Sequence, residues 1–183
     1  MSKTIGILVG SLRKGSYNLI VAKQMAELLP AGYEAKFIKI DDVPFYNEDL
    51  ETETVPDQWK RLREEVKSVD GLYFVTPEYN RSVPAALKNA LDVGSRPMGK
   101  NVWGGKPGLV MSVSPGGIGG FGANHHLRQS LVFLDIPTLQ QPEAYIGNIV
   151  NLVDNNGKIK DSTVEFFQLI TDKYIEFFEK LTK

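Results

Sequence analysis

The chain contains no cysteine. Disulfides, thiol redox chemistry and cysteine-based metal sites are therefore excluded, and any redox role has to be carried by a bound cofactor. Its two histidines, His125 and His126, are adjacent. They cannot share a metal from one helix face as an i, i+4 pair does, so no metal site is expected. No apolar run approaches membrane-spanning length, and the N-terminus enters a strand-like pattern without a secretory leader, which predicts a cytoplasmic protein with no membrane partner. Basic residues are not in excess: 21 Lys and Arg stand against 22 Asp and Glu, a net charge of -1. Nothing in that balance drives binding along a phosphate backbone, so nucleic acid is not expected as a partner. The spacing G-x-x-x-x-G-K-[ST] does not occur, which excludes a P-loop nucleotidase. One further scarcity is local. No Asp or Glu precedes Glu27, while Lys3, Arg13, Lys14 and Lys23 are all basic.

What is present reads as a globular α/β protein. A hydrophobic content of 42% and a charged content of 23% over 183 residues lie near the globular average, and the length suits one domain with a full-sized core. No repeat, linker or low-complexity tract divides the chain, so 1–183 is taken as a single domain. Strand-like stretches near 4–9, 34–40, 71–75, 107–113 and 136–140 alternate with helical patterns near 17–29, 56–68, 83–93, 122–134 and 161–181. That alternation predicts a parallel sheet with helices on both faces, strand 1 beside strand 3, and ligands at the reversal between them. Asp154-Asn155-Asn156-Gly157 reads as a tight turn between Ile149–Val153 and Lys158–Lys160, a small hairpin before the last helix. In that last helix Phe166, Phe167, Leu169, Ile170, Tyr174, Phe177, Phe178 and Leu181 recur at helical spacing, as a core stripe does.

Three loops fall on one rim of such a sheet. The first, Gly10-Ser11-Leu12-Arg13-Lys14-Gly15-Ser16-Tyr17-Asn18, joins strand 1 to a helix start. A helix N-terminus has unpartnered amides and a partial positive charge, and this one recruits no carboxylate of its own. A phosphate satisfies both needs, with Ser11, Ser16 and Asn18 donating hydrogen bonds and Arg13 a charge-assisted one. Ser16 is equally an ordinary N-cap, and Gly10 and Gly15 are ordinary turn residues. The second loop, Thr76-Pro77-Glu78-Tyr79-Asn80, leaves strand 3 extended, because Pro77 disfavours a helical Thr76. It presents main-chain groups and the Tyr79 ring to a flat ligand, which together with the phosphate loop suggests a flavin. The third, from Ser112 to Gly122, is glycine-rich and permits close backbone approach. Gly117, Gly119 and Gly122 match G-x-G-x-x-G formally. That fingerprint belongs to a first strand-to-helix turn, so the loop is read instead as a flavin border through Ser114, Gly116 and Gly117.

These residues carry a resemblance to the NADPH-dependent FMN reductase family, which includes quinone, azo-dye and chromate reductases of flavodoxin-like fold. It rests on residues 10–18 and on Pro77-Glu78-Tyr79-Asn80-Arg81-Ser82-Val83-Pro84, followed by Leu87-Lys88-Asn89-Ala90-Leu91-Asp92, in that order and at that spacing. The resemblance implies a three-layer sandwich with strand order 2-1-3-4-5. It implies that Ser11, Arg13, Ser16, Tyr17 and Asn18 hold the FMN phosphate and ribityl chain. Pro77, Glu78, Tyr79 and Asn80 then border the isoalloxazine ring, and Ser114 and Gly116 complete the pocket. The implied reaction passes hydride from NADPH or NADH to FMN, and then two electrons to a small-molecule acceptor such as a quinone, an azo compound, free flavin or chromate. No catalytic side chain is implied, since the cofactor performs the chemistry. A homodimer or homotetramer is implied, with Leu87–Val93 and Leu127–Leu134 as candidate contacts. Arg81 and Ala85 depart from the small or aromatic residue and the glycine usual at those places. Two other readings remain open at this point: a flavodoxin-type electron carrier, which the near-neutral charge disfavours, and a non-catalytic flavin or nucleotide sensor. Trp59 and Trp103 fit either the core or the rim of a substrate pocket.

Overall fold

The computed structural model describes residues 2–183. Five parallel strands, β1 (Lys3–Val9), β2 (Tyr33–Phe37), β3 (Gly71–Thr76), β4 (Gly108–Val113) and β5 (Ala144–Ile146), lie in the order β2-β1-β3-β4-β5. The helices are α1 (Tyr17–Glu27), α2 (Asp57–Lys67), α3 (Ala85–Gly94), α4 (Phe121–Phe133), the single turn α5 (Ile149–Leu152) and α6 (Asp161–Leu181). Alternation within the strands sorts side chains between two cores. Ile5 and Ile7 of β1, Tyr73 and Val75 of β3, and Leu109 and Met111 of β4 pack with Val21 and Met25 of α1 and Phe167, Ile170, Tyr174 and Phe178 of α6. Leu8, Leu72, Phe74 and Val110 face the other way, against α2, α3 and α4. β3 and β4 are buried along their whole length, as central parallel strands must be when helices cover both faces.

The apolar stripe of α6 is core on its inner side, where Phe167, Ile170, Tyr174 and Phe178 are essentially inaccessible, while Phe166, Leu169 and Leu181 remain on its outer side. Trp59 and Trp103 are also core. Their indole N–H groups donate to the carbonyls of Pro44 (2.8 Å) and Leu91 (3.0 Å), which lets both rings be buried without an orphaned donor.

Two expectations need correction. The fifth strand is not 136–140. That stretch touches β4 through one bridge, Thr138 with Gly108, and the ladder of β5 forms only at Ala144–Ile146, opposite Met111–Val113. Pro137 and Pro142 lack the N–H groups that a continuous strand needs, so the pairing breaks between them. The expected hairpin is only half present. Its turn forms, with Gly157 donating to the Asp154 carbonyl (3.1 Å) and the Asp154 carboxylate accepting from the amides of Asn156 and Lys158. These bonds hold the Asp154 carboxyl below its ordinary pKa. The first arm is the helical turn α5, however, and pairing is confined to Val153 with Ile159.

Candidate functional site

All three loops rise from the carboxyl ends of β1, β3 and β4, at the point where the sheet order reverses. Gly10 brings the first two together. Its N–H donates to the Val75 carbonyl (2.8 Å), and a Cβ there would lie 3.1 Å from both Pro77 and Pro84. Between the loops is a cavity of about 500 Å³. Nine of the eleven expected residues line it: Ser11, Arg13, Ser16, Tyr17, Asn18, Pro77, Glu78, Tyr79 and Ser114.

The first loop is organised by its own residues. Gly15 takes a left-handed conformation (φ +64), and Ser16 caps α1, its Oγ accepting from the Asn18 amide at 3.2 Å. The helix's first backbone bond is Ile20 to the Ser16 carbonyl (3.1 Å), which leaves the preceding amides outside the helical ladder. No acidic side chain lies in that first turn. The Arg13 guanidinium folds onto the carbonyls of Lys14 (3.4 Å) and Gly15 (3.1 Å) and lies 5.5 Å from the centre of the Tyr17 ring. Asn18 is 5% exposed, and its Oδ1 has no hydrogen-bond partner. A buried carbonyl oxygen left unpaired costs about 1–3 kcal/mol.

The second loop differs from expectation in two details. The Glu78 carboxylate, although at the cavity wall, is turned toward α4. Its Oε2 accepts from the Ala123 amide at 3.0 Å, and Oε1 lies 3.6 Å from Arg81. Asn80 is outside the lining. Together with Arg81 it sits in the left-handed region (φ 51 and 65), in a turn closed by reciprocal bonds between Tyr79 and Ser82. Tyr79, at 54% exposure, is the aromatic face that this turn holds out. Gly116, which is exposed, is also outside the lining. Its N–H is taken by Ser114 Oγ (3.1 Å), and its carbonyl accepts from Gly119 and Asn148 (3.2 Å each). Gly119, Gly122 and Gly147 are glycines because chain segments meet there. A Cβ on each would stand under 3 Å from the backbone of Tyr145, Arg81 and Gly117 respectively.

A model of the NADPH-dependent FMN reductase family matches residues 3–151. The chain belongs to that family. It is 57% identical to a quinone reductase of Pseudomonas putida, over 93% of this chain and 92% of that one. It is 42% identical to a 2-hydroxy-1,4-benzoquinone reductase from a Burkholderia species, over 95% of each. Among solved structures, the Paracoccus denitrificans flavoenzyme FerB, an NAD(P)H:(acceptor) oxidoreductase, superposes with a TM-score of 0.90 at 36% identity, covering 97% of this chain and 98% of the other. The fold of this family member is thus the flavodoxin-like α/β sandwich.

Sequence reasoning missed the support behind the third loop of this reductase-family chain. Ser112 Oγ donates to the Gly119 carbonyl (2.6 Å) and accepts from Asn124 Nδ2 (3.3 Å). Asn124 Oδ1 in turn accepts from Arg128, which also bonds Thr138 Oγ1 and the Leu139 carbonyl. Burial lowers the pKa of Arg128, and nearby Tyr145 and Glu143 work against that shift. Ile149, from α5, completes the cavity wall and was expected in a strand elsewhere. No local motif announces any of these contacts. Among the described residues, no helix is long and apolar enough to cross a membrane.

Proposed function

We propose that residues 1–183 form one flavin-binding unit that acts as an NAD(P)H-dependent quinone reductase, with FMN in the cavity between the three loops. The observation that carries this is the first loop: a helix start with no acidic side chain in its first turn, whose Ser16, Tyr17 and Asn18 line the cavity together with Ser11 and Arg13. These features fit a phosphoribityl chain. The amides and Arg13 meet the phosphate, and a ribityl hydroxyl supplies the donor that Asn18 lacks. Ser11, Ser16 and Tyr17 close the cradle. Pro77, Glu78 and Tyr79 border the ring, mainly through main-chain groups, while Asn80 and Gly116 shape the bordering turns.

FMN when bound supplies two-electron chemistry between a nicotinamide and an acceptor. The chain's own task is to retain the ring, keep one face accessible and exclude competing reactions. Quinones lead the other acceptors because the relatives reported above are named for quinones. Both NADH and NADPH remain candidate donors, and a cytoplasmic setting suits them.

A homodimer or homotetramer also belongs to this reading. Within the expected segments Leu87–Val93 and Leu127–Leu134, the leucines are core, whereas Val132 (77% exposed) and Phe133 (84%) project outward. That apolar pair is the proposed subunit contact, to be checked by light scattering.

The test is the visible spectrum of protein mixed with FMN and freed of excess, before and after anaerobic NADPH. A protein-bound flavin spectrum that bleaches supports the reductase reading. Bound flavin that neither NADPH nor NADH reduces would point to a carrier or sensor, and no retained flavin would overturn the reading. Arg13→Ala is expected to weaken FMN retention about tenfold, the loss of one charge-assisted contact, with turnover at saturating FMN little changed. Unaltered FMN affinity would remove Arg13 from the phosphate site.

A further inference from the structure

The turn after β3 that holds out Tyr79 is strained. Asn80 and Arg81 both lie in the left-handed region (φ 51 and 65), and the Tyr79 and Ser82 backbones close the turn with reciprocal hydrogen bonds of 3.1 and 3.0 Å. Two left-handed central residues suit Asn followed by Gly, since a Cβ crowds the backbone in that conformation and Asn tolerates it best. Asn80 obeys that rule and Arg81 breaks it. Backbone strain of this kind gathers at ligand-binding sites and points to a use for the side chain that keeps it. Packing within the turn supplies no such use. The Arg81 side chain is 72% exposed, and among the described residues its one ionic partner is Glu78, at 3.6 Å. Glu78 does not depend on that pair, because its other carboxylate oxygen accepts from the Ala123 amide at 3.0 Å. Arg13 and Glu78 are the charged residues of the cavity lining. With Arg13 given to the flavin phosphate and Glu78 turned toward α4, the Arg81 guanidinium is the charge that this border offers to an arriving molecule.

We infer that Arg81 sets acceptor specificity by pairing with an anionic substituent, so that quinones carrying an ionised hydroxyl, carboxylate or sulfonate group are favoured over neutral ones. The inference rests on the quinone reductase reading above and deepens it. An acceptor stacked on the flavin lies against the border that Tyr79 provides, and Arg81 stands two positions along the same turn, 3.6 Å from Glu78 of the cavity wall. A substituent on the acceptor's outer edge meets a guanidinium, whose paired N–H groups suit oxyanions. The existing ion pair is no obstacle. Exposed pairs of this kind contribute little, and Glu78 keeps its bond to the Ala123 amide when Arg81 turns to the acceptor. A cation at the mouth of a cleft also raises the local concentration of anions before they bind. The redox step is the same for both kinds of acceptor: the quinone takes a hydride and one proton to become the hydroquinone. Arg81 supplies neither, because a guanidinium stays protonated.

The experiment measures acceptor kcat/KM of FMN-loaded wild type, Arg81→Gly and Arg81→Lys with two quinones, neutral 2-methyl-1,4-naphthoquinone and anionic 1,4-naphthoquinone-2-sulfonate, using NADH and NADPH in turn. Comparing proteins on one acceptor cancels the intrinsic reactivity of that quinone. Arg81→Gly is expected to lower kcat/KM for the sulfonate about fivefold, the loss of one exposed charge contact, and to change the neutral quinone by less than about twofold. Arg81→Lys keeps the charge and should stay within about twofold of the wild type on both. Added salt should slow the sulfonate reaction of the wild type more than that of Arg81→Gly. Urea unfolding supplies a second readout: relief of left-handed strain offsets the entropy that glycine adds to the unfolded chain, so the midpoint of Arg81→Gly should match the wild type. An equal fall on both quinones, or no fall on either, overturns the inference. A clearly lower midpoint does so too, because it makes Arg81 a structural partner of Glu78. A shift in the NADPH to NADH ratio with acceptor discrimination intact assigns Arg81 to the donor's phosphate and is equally fatal. Wild-type protein that retains FMN but reduces neither quinone, or retains no FMN, overturns the quinone reductase reading itself.

Discussion

The loop after β1 and the loop after β4 border the same cavity but are held in place in opposite ways. In the first, beyond the anchor of Gly10 on Val75, the contacts that set the backbone come from within a few residues: Ser16 caps Asn18, Arg13 reaches Lys14 and Gly15, and Gly15 supplies the left-handed turn. In the second, the fixing contacts come from across the chain. Ser114 is bonded to Ile146 and Ile149, Gly116 to Asn148, Gly119 is packed on Tyr145, and Gly122 lies under the turn that holds Glu78 and Arg81. A locally closed loop is preorganised by short-range capping and turn chemistry. A loop closed by distant segments holds its shape only when the rest of the fold is complete, so damage there should spread into global stability.

The largest expected effect sharpens this contrast by making one substitution in both places. Gly119 and Gly15 have nearly the same φ, +67 and +64, but a Cβ at Gly119 lies 2.8 Å from the Tyr145 backbone, whereas at Gly15 nothing lies within 4 Å. Gly15→Ala therefore meets only the left-handed penalty of about 1 kcal/mol. Gly119→Ala adds overpacking against backbone that cannot rotate away, for a total of about 3 kcal/mol. Urea unfolding measures both. Losses that agree within about 0.5 kcal/mol would mean that the two loops are not held differently after all.

A smaller effect is expected from Asn124→Ala. The side chain is fully buried, donating to Ser112 and accepting from Arg128, so its removal takes away two hydrogen bonds and leaves the Arg128 Nε–H without its acceptor, at a cost of about 2 kcal/mol. The same unfolding measurement checks it, and a change below about 0.5 kcal/mol would show that the network is dispensable.

The contrast also explains what could be read from the chain before its fold was known. Short-range signals were legible. Alternating apolar runs placed β1, β3 and β4 to within a residue or so, helical spacing placed α6 at 161–181, and the acid-free stretch 10–18 marked a helix start. The meeting of the first two loops followed because both had to rise at the reversal of the sheet. What was illegible depends on partners far along the chain. β5 is a strand only where β4 offers an edge at Met111–Val113, Ile149 reaches the cavity through a helical turn after left-handed Asn148, and the Glu78 carboxylate is drawn to an amide 45 residues away. Glycines 117, 119 and 122 imitate a phosphate fingerprint, yet Gly119 and Gly122 are required by the backbone that passes beside them.

The smallest expected change in stability is the one that separates the two roles of the first loop. Ser16→Ala removes the hydroxyl that accepts the Asn18 amide, and the loss of an N-cap costs about 1 kcal/mol. That amide then joins the others at the helix start with no side-chain partner. If the loop exists only to begin a helix, the loss should be constant whatever anion is present. If it is built for a phosphate, the Ser16 hydroxyl is also part of the cradle, so the variant binds FMN more weakly and gains less stability from it than the wild type does. Thermal unfolding of Ser16→Ala and wild type, with and without FMN, therefore distinguishes a cap from a cradle. A gap between the two proteins that widens with FMN assigns the loop to the ligand, and a gap that stays fixed assigns Ser16 to the helix alone.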